Sequence, residues 1–233
     1  MRPAHGINFL ASYTLSKSMD NVSGLNIGGD MRPSLPVTIG NQASIDQSLA
    51  YEWGPSLFDA RHRFVASFGV ELPTPERLGT IARQTLGGWQ VNGIVQAQTG
   101  FPFTVYDVLT DIRYLTNRPN MTCDPNAAAP QTTDQWFDTS CFARRPVATT
   151  GTSLGTEPRN TVRGPGFGET DLSFFKNVDT VRSQRLQLRL EIFDLFNQIR
   201  FNQPGNLAGT STFGKITTAQ DGRVVQLGVR YLF

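Results

Sequence analysis

The chain has 233 residues, of which 39% are apolar and 17% are charged, and its formal net charge is +2. The apolar content is enough for a folded core, whereas the charged fraction lies below the roughly 25% usual in soluble domains. The basic residues form no run of the kind that follows a phosphate backbone, and no segment approaches about 18 consecutive apolar residues, so neither nucleic-acid binding nor a membrane-spanning helix is expected.

Six segments alternate apolar and polar residues with a period of two, and this alternation predicts β-strands with one apolar face. In chain order they are residues 6–17, 61–72, 88–105, 170–178, 185–193 and 224–233. As a helix, the leucines of the fifth segment would scatter around the cylinder, so a strand is favoured. Most of these segments reach the about 9 to 11 residues with which a tilted strand crosses a bilayer.

The connections between these segments alternate between long and short. They cover roughly residues 18–58, 73–86, 106–168, 179–184 and 197–221. In an up-and-down antiparallel sheet, every second connection lies at the same end. Outer-membrane barrels combine short periplasmic turns with long extracellular loops. The sequence therefore predicts an all-β fold, a fragment of an antiparallel up-and-down transmembrane β-barrel with about six long strands.

A soluble β-sandwich is the main structural alternative, but its strands usually have about five or six residues. Aromatic residues near the predicted strand ends favour interfacial girdles instead. This set is Trp89, Phe101, Phe103, Phe193, Phe196, Tyr231 and Phe233. Because lipid offers no hydrogen-bond partner, a sheet in a membrane must close on itself, and about eight strands are the usual minimum. We therefore expect the chain to be a piece of a larger barrel or to assemble with other chains.

The two cysteines of the chain, Cys123 and Cys141, both lie in the longest predicted loop. Two cysteines in one exposed loop most simply form a local disulfide in an oxidising compartment, with free thiols as the alternative. A zinc site would need more ligands than His5 and His62 supply. We expect neither a metal site nor a cofactor.

A catalytic arrangement is not expected from the sequence. Asp59 and His62 could form an acid–base pair, but their odd spacing places them on opposite faces of a strand. The glycine-rich segment 164–168 precedes no helical pattern and has no Lys-Ser/Thr, so it does not predict a phosphate site. No nucleophile motif is found, and we expect no enzymatic activity.

Short motifs spread over most of the chain resemble, in order, the C-terminal part of the barrel of TonB-dependent outer-membrane receptors, in particular the Oar-like group. The motifs are SYTLSKS (12–18), FDARHRF (58–64), GWQVNG (88–93), QTGFPF (98–103), RGPG (163–166), DLS (171–173), FDLFN (193–197) and FNQP (201–204). The closing Tyr231 and Phe233 resemble the terminal aromatic signal read by the barrel assembly machinery, which implies that Phe233 is the last residue of the protein.

The resemblance implies a barrel of about 22 strands that is plugged by an N-terminal domain and imports a scarce ligand across the bacterial outer membrane. Residues 1–233 would form its C-terminal portion, without the plug and the earlier strands. Its partners would be outer-membrane lipid, the barrel assembly machinery, and the remaining barrel and plug; TonB would be reached only through the plug. The alternative function is a structural or adhesive outer-membrane barrel without active transport, and the least favoured one is a secreted soluble β-domain that binds glycans or protein.

The polar positions of the strands are predicted to face the lumen, where they would contact the plug or line the path beside it. This set is Arg61, Arg63, Gln90, Asn92, Gln96, Gln98, Gln187, Arg189, Glu191, Gln226 and Arg230. Ligand selection would depend more on the long loops, because exposed connections usually carry recognition. The sequence does not identify the ligand.

Overall fold

The structure is a computed structural model that describes residues 6–21, 23, 52–74, 79–107, 118–144, 155–179 and 184–233. Its main element is a six-stranded antiparallel sheet in which the strands are paired in the order of the chain. The long strands are β1 (Ile7–Leu15), β2 (His62–Glu71), β3 (Trp89–Gln98), β4 (Phe167–Asp179), β5 (Arg185–Phe193) and β6 (Val224–Leu232). The predicted up-and-down sheet of six long strands is confirmed.

Where the structure describes them, the connections contain only short elements. The α-helix α1 (Thr80–Leu86) precedes β3, and Thr139–Cys141 forms one turn of 3-10 helix. Four pairs of two-residue strands join the connections: Met19–Asp20 with Gly54–Pro55, Pro102–Phe103 with Val162–Arg163, Tyr106–Asp107 with Leu207–Ala208, and Asn120–Met121 with Phe142–Ala143. No helix in the described ranges is long and apolar enough to span a membrane.

The register of the sheet gathers most apolar positions of the six strands on one side, which we call the apolar face. It includes Ile7, Phe9, Phe64, Phe68, Trp89, Val91, Leu172, Phe174, Leu186, Leu188, Leu190, Val225, Leu227, Val229 and Tyr231. No second layer of the described chain covers this face, since Leu227 is 80% exposed and Phe9 is 70% exposed. The opposite side is the polar face. A soluble sandwich, which would bury these apolar side chains, is not what the chain forms.

The third strand is shorter than predicted. The alternation suggested a strand over 88–105, but β3 ends at Gln98. A Cβ atom at Gly100 would overlap the carbonyl oxygen of Gly164, so the chain passes there with the close approach that only glycine allows. Pro102–Phe103 then pairs with a different segment, and Phe103 lies 1% exposed in a core instead of in an interfacial girdle.

The fourth strand is longer than predicted, with 13 residues instead of the nine of 170–178. Its alternation is broken near the C-terminal end, because Phe175 lies on the polar face and Lys176 lies on the apolar face. Pairing with both β3 and β5 holds this strand in place in spite of its pattern, because two neighbours satisfy the hydrogen bonds of its backbone.

A second, compact layer lies at one end of the sheet. We call it the loop cap: the described residues of the three long connections, 16–61, 99–166 and 194–223. Its core is a cluster of buried apolar residues, namely Phe103, Val105, Phe137, Cys141, Phe142, Val162 and Ala208. The sequence predicted exposed, adaptable loops here, and that expectation is wrong for these buried residues, because the connections pack against one another.

Substitutions on the two faces of the sheet can test whether the apolar face contacts lipid. Replacement of Leu227, near the middle of β6, by arginine is expected to destabilise the folded protein in a bilayer by about 2 to 4 kcal/mol, because a guanidinium near the midplane is costly. The matched control is Gln226→Arg on the polar face, for which a change below about 1 kcal/mol is expected. Unfolding titrations in lipid vesicles measure both values. Equal destabilisation by the two variants would contradict this assignment of the faces.

Candidate functional site

The residues predicted to face a lumen share the polar face of the sheet. Register places ten of the eleven on this face: Arg63, Gln90, Asn92, Gln96, Gln98, Gln187, Arg189, Glu191, Gln226 and Arg230. Arg61 lies one residue before β2 begins at His62, on the loop-cap side. Gln226 and Arg230 are exposed, since they belong to a strand at the edge of the sheet.

Two hydrogen-bonded groups organise the polar face. Toward the loop cap, the Gln96 amide donates to Glu169 Oε2 over 2.8 Å, and Arg200 forms an ion pair with Glu169 Oε1 over 2.9 Å. Glu169 and Arg200 are not among the residues that the sequence predicts to face a lumen. Glu169 falls just outside the predicted strand 170–178, and Arg200 belongs to the following connection.

The second group lies nearer the short turns. Arg189 donates from Nε to Gln187 Oε1 over 2.7 Å, and Gln187 donates to Asn177 Oδ1 over 2.9 Å. The Arg189 guanidinium also lies 5.1 Å from the centre of the Phe175 ring, a cation–π contact. Amide and guanidinium groups held in this way offer both donors and acceptors, so the polar face can bind polar ligand groups or a polypeptide surface.

In the loop cap, a buried cluster centres on the Arg159 guanidinium. It forms an ion pair with Asp20 over 2.6 Å and donates to Ser23 Oγ over 2.6 Å and to the Glu52 carbonyl over 3.3 Å. Burial alone would raise the pKa of Asp20, but hydrogen bonds from Ser56, Arg159 and Ser23, together with the Arg159 charge, hold it below its ordinary value. The cluster joins two long connections, because Asp20 and Arg159 are far apart in sequence.

A second ion pair explains why three sequence motifs occur together. Asp59 of FDARHRF pairs with Arg163 of RGPG over 2.6 Å, and its other oxygen accepts a hydrogen bond of 2.8 Å from the Ser18 backbone of SYTLSKS. Burial would raise the pKa of Asp59, but these contacts and the charges of Arg163 and Arg61 lower it. His62 Nδ1 instead lies 2.7 Å from the Tyr13 hydroxyl. The structure does not bring Asp59 and His62 into an acid–base pair.

Glu157 is a fully buried carboxyl group in the loop cap. Its Oε1 accepts hydrogen bonds from the Val105 backbone over 2.9 Å and from Thr161 Oγ1 over 3.1 Å, while Oε2 has no partner among the described residues. Burial raises the pKa of Glu157 to about 8, and the two hydrogen bonds and the Arg118 charge offset only part of this effect. Glu157 is therefore protonated at neutral pH.

This pKa shift predicts how the stability of the loop cap depends on pH. The folded cap holds a proton that the unfolded chain releases near pH 4.5, so stability falls as pH rises from about 4.5 to about 8. The slope is about 1.4 kcal/mol per pH unit. In Glu157→Gln, which keeps the shape without the ionisation, this slope should disappear. Urea titrations at pH 6 and pH 8 measure it, and an unchanged pH dependence in the variant would contradict the assignment.

The two cysteines form a disulfide in the structure, Cys123–Cys141. Cys123 is exposed, but Cys141 is buried in the aromatic core, so the expectation that both lie in an exposed loop is wrong for Cys141. Asp138 lies close to both sulfur atoms. Sulfurs joined in a disulfide are not thiolates, so these groups do not make a metal site in this oxidised form.

The terminal aromatic residues lie at the other end of the sheet from the loop cap. The Tyr231 and Phe233 rings are 6.4 Å apart, and the Tyr231 hydroxyl donates to Gln184. Both side chains are exposed, which leaves them accessible to another protein. Recognition by the assembly machinery stays a prediction.

A sheet with one lipid-compatible face, one hydrogen-bonded polar face and long connections packed at one end defines an outer-membrane β-barrel protein. A comparison with protein families agrees: the model of the outer membrane beta barrel domain family matches residues 1–226. The chain belongs to this family and is located in the bacterial outer membrane. No curated protein and no solved structure matches it.

Proposed function

We propose that the chain is the C-terminal part of the barrel of a TonB-dependent receptor and contributes to ligand uptake across the outer membrane. The observation that supports this proposal is the open sheet. β1 and β6 each pair on one side only in the described structure, although the apolar face between them is continuous. Unpaired strand edges in lipid leave backbone groups without partners, so further strands must complete the barrel.

The polar face supports the proposal that this side of the sheet lines a lumen that holds a plug. Glutamine, asparagine, arginine and glutamate side chains are hydrogen-bonded to one another along β3, β4 and β5, and they present both donors and acceptors to a polypeptide. In this proposal the plug contacts the polar face and TonB contacts only the plug. The residues of this chain then bind and position without catalysing a reaction, and no metal or cofactor takes part.

The loop cap supports the proposal that the protein is a receptor whose ligand-binding surface faces the exterior. Long connections lie outside and short turns lie in the periplasm in barrels of this type. Here ion pairs and an aromatic core join the long connections to one another, and a disulfide closes a loop within the second of them. A surface held in this way can present a fixed arrangement of groups to a ligand, which reduces the ordering cost of binding.

The proposal is tested on the complete gene product. We expect the reading frame upstream of codon 1 to encode a plug and about 16 further strands, because six of about 22 are present here. The full-length protein, purified in detergent, should bind the purified periplasmic domain of TonB. A variant that lacks the N-terminal segment of the plug should lose this binding and keep its fold, as shown by heat-modifiable migration.

Two outcomes would contradict receptor function. One is a full-length product with a plug that does not bind TonB. The other is a secretion signal directly upstream, together with a 233-residue chain that forms a heat-modifiable oligomer in detergent. The second outcome would support the structural or adhesive alternative, in which several copies close one barrel.

A further inference from the structure

The apolar face carries one cation, Lys176, among the described residues of β4. Its register partners are Trp89 on β3 and Leu188 on β5, both on the same face. The residue is only 7% exposed, its ammonium group donates to the Gly87 carbonyl, and it lies 5.6 Å from the centre of the Trp89 ring. A lysine is thus built into a surface that otherwise suits hydrocarbon.

Lys176 has no acidic partner in the described part of the chain. No ion pair within 4.0 Å is found for its ammonium group there. Two polar residues lie nearby in the register, Asn177 on β4 and Arg189 on β5, but both belong to the polar face. A charge at a membrane surface is costly unless it is paired or reaches the interface. The Gly87 carbonyl and the Trp89 ring satisfy part of this need but carry no negative charge.

Lys176 lies near the end of the sheet that carries the short connections, which is the periplasmic end in outer-membrane barrels. It is three residues from the end of β4, beside the turn that carries α1, and this is the end opposite the loop cap. Trp89 is the first residue of β3 and donates from Nε1 to the Thr85 carbonyl. Tryptophan at a strand end is typical of the aromatic girdle at the level of the lipid headgroups.

An apolar groove leads from this lysine toward the middle of the membrane. It has a volume of about 370 Å³. Its lining residues are Trp89, Lys176 and Leu188 at the rim end, then Phe174, Leu190 and Leu227, with Arg189 of β5 also bordering it. In the register, Phe174, Leu190 and Leu227 lie in one row across three strands, two residues deeper than Lys176. A cation at the rim with an apolar groove below it has the shape and polarity of a phospholipid site.

We propose that Lys176 and Trp89 bind the phosphate headgroup of an anionic phospholipid of the periplasmic leaflet, with one acyl chain in the groove over Phe174, Leu190 and Leu227. A net negative lipid is favoured over a zwitterionic one because Lys176 has no acidic partner among the described residues and no acidic residue lines the groove, whereas a zwitterionic lipid brings its own ammonium. This site needs only the outer-membrane location of the barrel, so it is independent of the proposed transport function.

The experiment uses the full-length protein in detergent, stripped of lipid and titrated with phosphatidylglycerol or with phosphatidylethanolamine. Native mass spectrometry counts the bound lipids. The unaltered protein should bind phosphatidylglycerol about tenfold more tightly than phosphatidylethanolamine. Lys176→Gln should lose this preference, Lys176→Arg should keep it, and the control Lys215→Gln, at an exposed lysine of the loop cap, should leave it unchanged.

Equal binding of the two lipids by the unaltered protein would overturn the proposal, even if Lys176→Gln did not fold. A Lys176→Gln protein that keeps the preference would overturn it as well. Loss of the preference in Lys215→Gln would show a general effect of charge and would also contradict a site at Lys176.

Discussion

Replacement of Phe137 by alanine is expected to destabilise the loop cap by about 3 to 5 kcal/mol. Phe137 is 1% exposed, and its ring makes edge contacts with those of Phe103, Phe142 and Phe213 at centroid distances of 5.9, 5.7 and 5.3 Å. Removal of this ring leaves a cavity among residues from two of the three long connections, 99–166 and 194–223. The connections should then separate at a lower urea concentration.

The measurement is a urea titration of the folded protein, followed by the fluorescence of Trp136, which packs against the same core. Phe196→Ala is the matched control, because Phe196 is 66% exposed and the same atoms are removed. The control should change stability by less than about 0.5 kcal/mol. Similar losses in the two variants would show that Phe137 is not the centre of a packed core.

Replacement of Arg159 by methionine is expected to cost about 3 kcal/mol or more, because it leaves Asp20 partly buried without its counter-charge. The Ser23 hydroxyl and the Glu52 carbonyl also lose their guanidinium donor. The pKa of Asp20 should rise toward its ordinary value. The contribution of the Asp20 shift is present at neutral pH and is lost as pH falls through the lowered folded-state pKa.

A double-mutant cycle separates the ion pair from loss of packing. Asp20→Asn in the Arg159→Met background should recover part of the lost stability, because it removes the unpaired charge. The control is Arg223→Met at an exposed position of the loop cap, with an expected change below about 0.5 kcal/mol. Additive effects of the substitutions at 20 and 159 would contradict a coupled pair.

Periodicity predicted the bounds of the strands well where apolar and polar residues alternate strictly. The predicted segment 185–193 coincides with β5, and 224–233 exceeds β6 by one residue, because Leu188 and Leu227 alternate strictly with polar neighbours. The alternation did not predict the end of a strand that is set by tertiary contacts. Apolar residues continue past Gln98, but the close approach of Gly100 and Gly164 ends β3 there.

The candidate site was predictable in part. Alternation identifies the polar face, and the cysteine pair is evident from the count. The core of the loop cap and the Arg159 cluster were missed, because two-residue strands such as Val162–Arg163 are too short to show a period. Glu157, Arg159 and Asn160 look like an ordinary polar loop, and only the contacts among distant connections bury them.

In this outer-membrane barrel, alternate side chains of the long strands contact hydrocarbon, and the accessibility of spin labels measures this contact directly. Single cysteines at 187, 188, 226 and 227 can each carry a spin label, since the two native cysteines are joined in a disulfide. In the full-length protein in vesicles, labels at 188 and 227 should be relaxed by oxygen, which partitions into lipid, and shielded from a water-soluble nickel complex. Labels at 187 and 226, which face the lumen or the plug, should lack this strong relaxation by oxygen, giving a period of two. Nickel access at 188 and 227, or no alternation at all, would contradict the account.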